Sequence, residues 1–159
     1  MATIVRYVGR GDVAQDVLQD TLVRALRGFS HFKWRGKGSL GGWLNRMAVN
    51  MSLNYLRDNR HMLQAVSLDE RPVAEEPTPA DVEGLDLAEL MRLVEELPTG
   101  YRTVFNLYCI EGHSHREIAS ELGISVNTSS SQLARAKAML ARKINDYVAR
   151  KEMHYEPGN

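Results

Sequence analysis

A single cysteine, Cys109, is all this chain contains, so no intramolecular disulfide can close a loop and stability must come from packed apolar side chains. Nor is any apolar run long enough to span a bilayer or serve as a secretory signal, which predicts a cytoplasmic location. A glycine-rich phosphate loop, a nucleophile elbow and carboxylates at acid–base spacing are all lacking, so neither a catalytic site nor a cofactor is expected. Cys109, His113 and His115 are close enough in sequence to raise the question of a metal. Cys109 falls in an apolar run, however, where a buried free thiol is common, and no fourth ligand follows at a metal spacing. Structural roles and no metal are therefore expected.

Net charge is absent as well, because twenty basic residues meet twenty acidic ones. Their distribution is uneven. Residues 1–60 hold ten basic against four acidic side chains, residues 61–99 two against ten, and residues 100–159 eight against six. Two basic ends around an acidic middle point to two nucleic-acid contacts joined by a segment that avoids DNA or mimics it. At 159 residues the chain has room for one domain or two small ones.

What is present centres on residues 111–140, EGHSHREIASELGISVNTSSSQLARAKAML. Ser114 with Glu117 three residues later is a capping box, so a helix should start there. Ile118, Ala119 and Leu122 give it an apolar stripe, and Gly123 supplies a residue able to end it at positive φ. Ile124 plugs the corner, and Ser125 is an N-cap for a second helix through Leu133, Ala136 and Leu140. Ala119 leaves room for two helices to cross steeply. The pattern predicts a helix-turn-helix. The start of its second helix offers Val126, Asn127, Thr128, Ser130, Ser131 and Gln132 to base edges or phosphates, with Arg135 a turn later. A capped helical hairpin with a solvated polar face is the plainer alternative.

The opening residues, TIVRYVG, have the spacing of a helix's last turns. Asp12 should cap the next helix, with Gln15 completing a capping box; Ala14, Val17, Leu18, Thr21, Ala25 and Leu26 mark its packing face. Its other face carries Asp16, Gln19 and Asp20, near the helix start where the macrodipole favours carboxylates. That face is either solvated or a docking surface. Gly28 should end the helix.

The loop FSHFKWRGKG interleaves Phe29, Phe32 and Trp34 with Lys33, Arg35 and Lys37. Exposed aromatics beside cations suit single-stranded nucleic acid, each stacked base being worth about 1–3 kcal/mol. The alternative is that the rings fold back onto a small core, as at least Phe32 is expected to do. Ser39 should cap a third helix whose apolar positions are Leu40, Trp43, Leu44, Met47, Ala48, Met51 and Tyr55. Its opposite face bears Arg46, Asn50, Asn54 and Arg57 without one acid, and asparagine is a poor choice for a merely solvated helix. From Asp58 the pattern dissolves, and the Pro- and Glu-rich stretch 67–84 reads as a linker. Helical period returns at Leu85, Leu87, Leu90, Met91, Val94 and Leu97. Pro98 separates that helix from an apolar run, Tyr101, Val104, Phe105, Leu107, Tyr108 and Ile110, expected to form a small core.

Taken together, these segments resemble the extracytoplasmic-function group of bacterial RNA polymerase sigma factors. DVAQDVLQDTLVRAL resembles the family's polymerase-docking helix, GKGSLGGWLNRMAVNMSLNYLR its promoter-melting and minus-ten segment, and residues 97–140 its minus-thirty-five module. The resemblance implies an all-α fold of two small helical domains: residues 1–62 like sigma region 2, an acidic flexible linker over 63–84, a region-4-like helix-turn-helix domain over 85–150, and a tail over 151–159. It implies that Asp16, Gln19 and Asp20 dock on the clamp helices of the polymerase largest subunit, with the flap of the second-largest subunit as a further contact. Lys33, Trp34, Arg35, Lys37, Arg46, Asn50, Asn54 and Arg57 would hold the melted minus-ten strand. Residues Val126 to Gln132 named above and Arg135 would meet the minus-thirty-five element, and an anti-sigma protein would cover these surfaces. The chain departs from the family pattern in three places. Most of the first helix is missing, no basic residue stands near Ser130, and Ser129 occupies a position that is commonly apolar, so a loosely held recognition helix is expected. A duplex-binding regulator independent of polymerase, using only the second module, is the alternative, and a protein-interaction module is another.

Overall fold

The computed structural model describes residues 1–64 and 85–153. Among these every regular element is helical, as the sequence predicts. Of the linker expected over 63–84, residues 63 and 64 belong to a helix and residues 65–84 lie outside the described residues, as does the part of the expected tail beyond 153.

The first module contains α1 (Ala2–Val8), α2 (Asp12–Gly28), a 3₁₀ turn at Phe29–His31, α3 (Ser39–Asp58) and the single turn α4 (His61–Gln64). The second contains α5 (Leu87–Glu95), α6 (Thr99–Phe105), a π-helical turn at Asn106–Ile110, α7 (His115–Leu122) and the long α8 (Val126–Met153).

Local chemistry explains where several of these begin. The Glu117 N–H donates to Ser114 Oγ (3.3 Å) while the Ser114 N–H donates to Glu117 Oε2 (2.7 Å), and Gly123 closes α7 at φ 66°. A second capping box starts α5: the Glu89 N–H donates to Asp86 Oδ1 (2.7 Å) and the Asp86 N–H to Glu89 Oε2 (3.1 Å). Other expected starts differ. Asp12 and Ser39 are first residues inside their helices, behind Gly11 and Gly38, and neither side chain caps. Ser39 Oγ instead accepts the Arg35 N–H (3.3 Å), which fastens the preceding loop. α2 ends at Gly28 as expected, but Gly28 is right-handed and the chain passes directly into the 3₁₀ turn at Phe29. Trp43 and Met47 of α3 lie over Gly28, each 3.6 Å from where a Cβ would stand, an ordinary contact distance.

Packing faces also moved. On α2 the buried line is Ala14, Val17, Thr21 and Ala25, whereas Leu26 is 78% exposed. On α3 the deepest side chains are Ala48, Val49, Ser52, Leu53 and Leu56, because α3 is covered by α1 and α7 as well as by α2. In the second module Leu93, Val94, Leu97, Tyr101, Ala136, Leu140 and Ile144 form one core. Tyr108, Cys109 and Ile110 were expected inside but are exposed, since the π turn carries them off the buried face.

The two modules are packed together. Leu63, in a stretch where no helix was expected, enters one buried cluster with Ile4, Tyr7, Leu56, Val104, Leu107, Ile118, Leu122 and Leu133. Burying one such leucine contributes roughly 1.5–3 kcal/mol. Arg102, only 6% exposed, donates through Nη1 to the Glu95 and Leu97 carbonyls (2.6 and 3.1 Å) and through Nη2 to the Tyr7 carbonyl (3.1 Å). Asn106 Nδ2 donates to the Arg6 carbonyl (2.8 Å), and Arg10 pairs with Glu95 (2.8 Å).

Hydrogen bonds from Ser114 hold the Glu117 carboxyl below the usual carboxylate range, and a bond from Tyr147 does the same for Glu89. A lowered carboxyl value stabilises the folded state above the ordinary value near 4.3, and that stabilisation is lost as pH falls through the lowered one. Ser114→Ala should cost about 1 kcal/mol by removing the cap, seen as a lower melting temperature at pH 7. The difference from the parent chain should shrink in strong acid; a gap unchanged there would contradict the role given to Glu117.

Candidate nucleic-acid interface

The residues expected to touch nucleic acid fall in three places. The first is the start of α8. The Thr128 N–H donates to Ser125 Oγ (2.9 Å), so the helix is capped one residue after the α7 turn. Val126, Asn127, Ser130 and Ser131 are exposed there, while Thr128, Gln132 and Arg135 are half-buried. Ser131 Oγ donates to the Thr128 carbonyl (3.1 Å), so its hydroxyl proton is used within the helix.

Ser129 corrects an expectation. It is fully buried, and its Oγ lies 3.0 Å from Nδ1 of His115, whose ring stacks on Tyr108 with centroids 4.7 Å apart. A polar side chain at a usually apolar position thus has a hydrogen-bonding partner on α7. The helix that presents Val126 to Gln132 is therefore tied to its neighbour by a bond as well as by Ile118 and Leu133. Spacing alone could not reveal this, because the partners are fourteen residues apart.

The second place is the loop after α2. Phe32 packs on Trp43 (5.1 Å) and stacks with Phe29 (5.9 Å), so it folds back as expected. Trp34 stays 66% exposed beside the exposed cations Lys33, Arg35 and Lys37. His31, Phe32, Lys33, Arg35, Ser39, Trp43 and Arg46 line an open cleft of about 450 Å³, within the range of small-ligand sites.

The third continues along α3. Asn50, Asn54 and Arg57 line a separate cleft of about 320 Å³ with Arg24, Met47 and Met51, and Arg57 donates to the Asn54 side-chain carbonyl. Arg24 was not among the expected contacts. It reaches this cleft because α2 and α3 run side by side, a pairing no local spacing reveals. Glu121 of α7 is an unexpected acidic member of the same lining.

Elsewhere, Asp16, Gln19 and Asp20 are exposed on α2 as expected. Beside them the apolar Leu22, Val23 and Leu26 are exposed too, and Phe29 continues the line. An acidic and amide face with an apolar border fits a protein surface better than water. Among the described residues no group of three potential metal ligands comes together, and no helix is long and apolar enough to cross a membrane. Partial desolvation raises the thiol of Cys109 above its ordinary value even though the residue is exposed at the surface, and Lys137 opposes the shift.

Residues 1–62 match the family model described as Sigma-70 region 2, and residues 87–140 that described as Sigma-70, region 4. The chain is 30% identical over 149 residues to the ECF RNA polymerase sigma factor SigE of Mycolicibacterium smegmatis, covering 91% of this chain and 55% of that protein. It thus spans about half the length of that relative. It is 30% identical over 161 residues to the ECF RNA polymerase sigma-E factor of Haemophilus influenzae, covering 89% of this chain and 79% of that one. A solved structure of the sigma factor RpoE in complex with the anti-sigma factor NepR from Bartonella quintana is 25% identical, with 89% of this chain and 86% of that chain covered and a TM-score of 0.49.

Ser129→Ala should leave His115 Nδ1 without its partner and lower stability by about 1 kcal/mol. Chemical denaturation measures this, and a midpoint equal to that of the parent chain would show that the bond carries no weight.

Proposed function

We infer, for a chain that belongs to the extracytoplasmic-function group of RNA polymerase sigma factors, that its two modules grip a promoter at two places and hold one strand open between them. The chain binds core RNA polymerase and directs it to promoter DNA. The observation that carries this is the coexistence, in one chain, of a helix-turn-helix with an exposed polar reading end and a separate basic, amide-rich helix face beside an aromatic cleft. A regulator that only reads duplex DNA has no use for the second.

The first module, residues 1–62 with the end of α4, forms the polymerase-docking and minus-ten unit, the stretch from 65 to 84 the acidic tether, and residues 85–150 the minus-thirty-five unit. Asp16, Gln19 and Asp20, with the apolar border of Leu22, Val23 and Leu26, form the surface for the clamp helices of the polymerase largest subunit; the second module meets the flap of the second-largest. Val126, Asn127, Thr128, Ser130, Ser131, Gln132 and Arg135 face the major groove of the minus-thirty-five element. Their short hydroxyl and amide side chains supply base contacts and few phosphate charges, so this contact has a shallow dependence on salt.

Strand capture follows from the two clefts. An unpaired base leaves the stack at a cost of a few kcal/mol and is recovered by stacking and by hydrogen bonds to its edge. Trp34 is exposed for stacking, and Lys33, Arg35, Lys37 and Arg46 neutralise the phosphates of the displaced strand. Asn50 and Asn54 offer paired donors and acceptors to base edges, with Arg57 alongside. The function is cytoplasmic, where polymerase and promoters are. A regulator of the anti-sigma kind would silence the chain by covering the exposed line of Leu22, Val23 and Leu26.

Run-off transcription with core polymerase tests this: transcripts should start from a responsive promoter only when the chain is added. Replacing Asn50 and Asn54 by Ala should reduce strand opening, followed by permanganate reactivity of the melted bases, far more than association with core; equal losses would refute the division of roles. Asp16→Arg with Asp20→Arg should abolish co-elution with core polymerase, and retention of the complex would move the docking surface elsewhere.

A further inference from the structure

Helix α2 is buried along Ala14, Val17, Thr21 and Ala25, and its opposite side is exposed. The turn of about 100° per residue gives that exposed side two edges. One carries Leu22 and Leu26, 50% and 78% exposed, the other carries Asp20 and Arg27, and Val23, 45% exposed, lies between them. Charge is divided along the helix as well. The exposed acids Asp12, Asp16 and Asp20 occupy its first half and the exposed bases Arg24 and Arg27 its second.

A face of this kind complements itself when reversed. A twofold axis lying across it keeps each edge on its own side and inverts the order along the helix. Where the axis passes between Val23 and Arg24, Asp20 of each copy falls opposite Arg27 of the other, and Leu22 opposite Leu26 to within one residue. A parallel pairing would instead set Asp20 against Asp20 and Arg27 against Arg27, so charge selects the antiparallel one.

We propose that α2 docks antiparallel on α2 of a second copy, so that the chain free of polymerase forms a twofold dimer that shelters its own exposed leucines. The helix has 17 residues and is about 25 Å long. One face of it buries less than the roughly 800 Å² per partner of a standard interface, which makes the dimer reversible and dependent on concentration. The face is the one assigned above to polymerase, so dimer and polymerase complex exclude each other. That exclusion rests on the proposed docking role, whereas the self-pairing does not.

Sedimentation velocity of the full chain over a concentration series, with reductant present to exclude a Cys109 disulfide, is the test. The parent chain should pass from monomer to dimer as concentration rises. Leu26→Glu puts a carboxylate on the apolar edge of both copies and should remain monomeric throughout, with an unchanged melting temperature because the side chain it replaces is exposed. Asp20→Arg turns two attractive pairs into repulsive ones and should raise the dimer dissociation constant about tenfold. Adding Arg27→Asp to it restores both pairs and should recover the parent value, which a general loss of folding could not do. A parent chain that stays monomeric, a dimer that survives Leu26→Glu, or a double exchange no tighter than Asp20→Arg alone would overturn the proposal. Core polymerase added to the dimer should draw off single copies. A dimer that behaves as expected and is left intact by polymerase would uphold self-pairing and refute the docking role given to this face.

Discussion

The carbonyls of Arg6 and Tyr7 end a helix of only seven residues, and side chains of Asn106 and Arg102, some hundred positions later, supply their hydrogen bonds. A helix so short is marginal in water, because nucleation fixes several residues before the ladder returns a bond for each. Its last carbonyls have no partners within it. Arg102 therefore does three things at once: it satisfies α1, closes the α5–α6 corner through the Glu95 and Leu97 carbonyls, and joins the two modules. Burial disfavours its charged form, with Glu95 acting the other way; the carbonyl oxygens around it are what make a guanidinium tolerable there.

The same joint carries its own opposition. Tyr7 Oη, Arg102 Nε and Asn106 Oδ1 are buried without a hydrogen-bond partner among the described residues, and each such group costs about 1–3 kcal/mol, of the same order as the gain from burying Leu63. The core of the second module, from Leu93 to Ile144, is instead a cluster of apolar and aromatic side chains. Polar interactions at that core, Lys143 with Glu96 (2.6 Å) and Tyr147 with Glu89, lie at its rim where water remains available.

The start of α8 shows a related economy. α8 is held at its start by Ser125 and Ser129 and along its length by α5 and α6. Its first two turns are thereby fixed to its neighbours while Val126, Asn127 and Ser130 stay exposed. In the role proposed for it, rigid support with short side chains favours recognition by shape and hydrogen bonding over attraction by charge.

Much of the helical code lies within four residues, and so the sequence by itself determined the all-α class, the Ser114–Glu117 cap, the Gly123 turn, the family and which residue types each surface would offer. Caps, turns and helical spacing are local interactions that a reader can follow along the chain. Which face of a helix is covered is decided by what packs opposite. Tertiary structure alone placed Leu26 outside and Leu63 inside, exposed Tyr108 and Ile110, gave buried Ser129 a partner in His115, brought Arg24 and Glu121 to the Asn50–Asn54 cleft, and capped α1 from the far module. Burial and capping at those positions depend on groups far away in sequence, and no local pattern encodes the meeting.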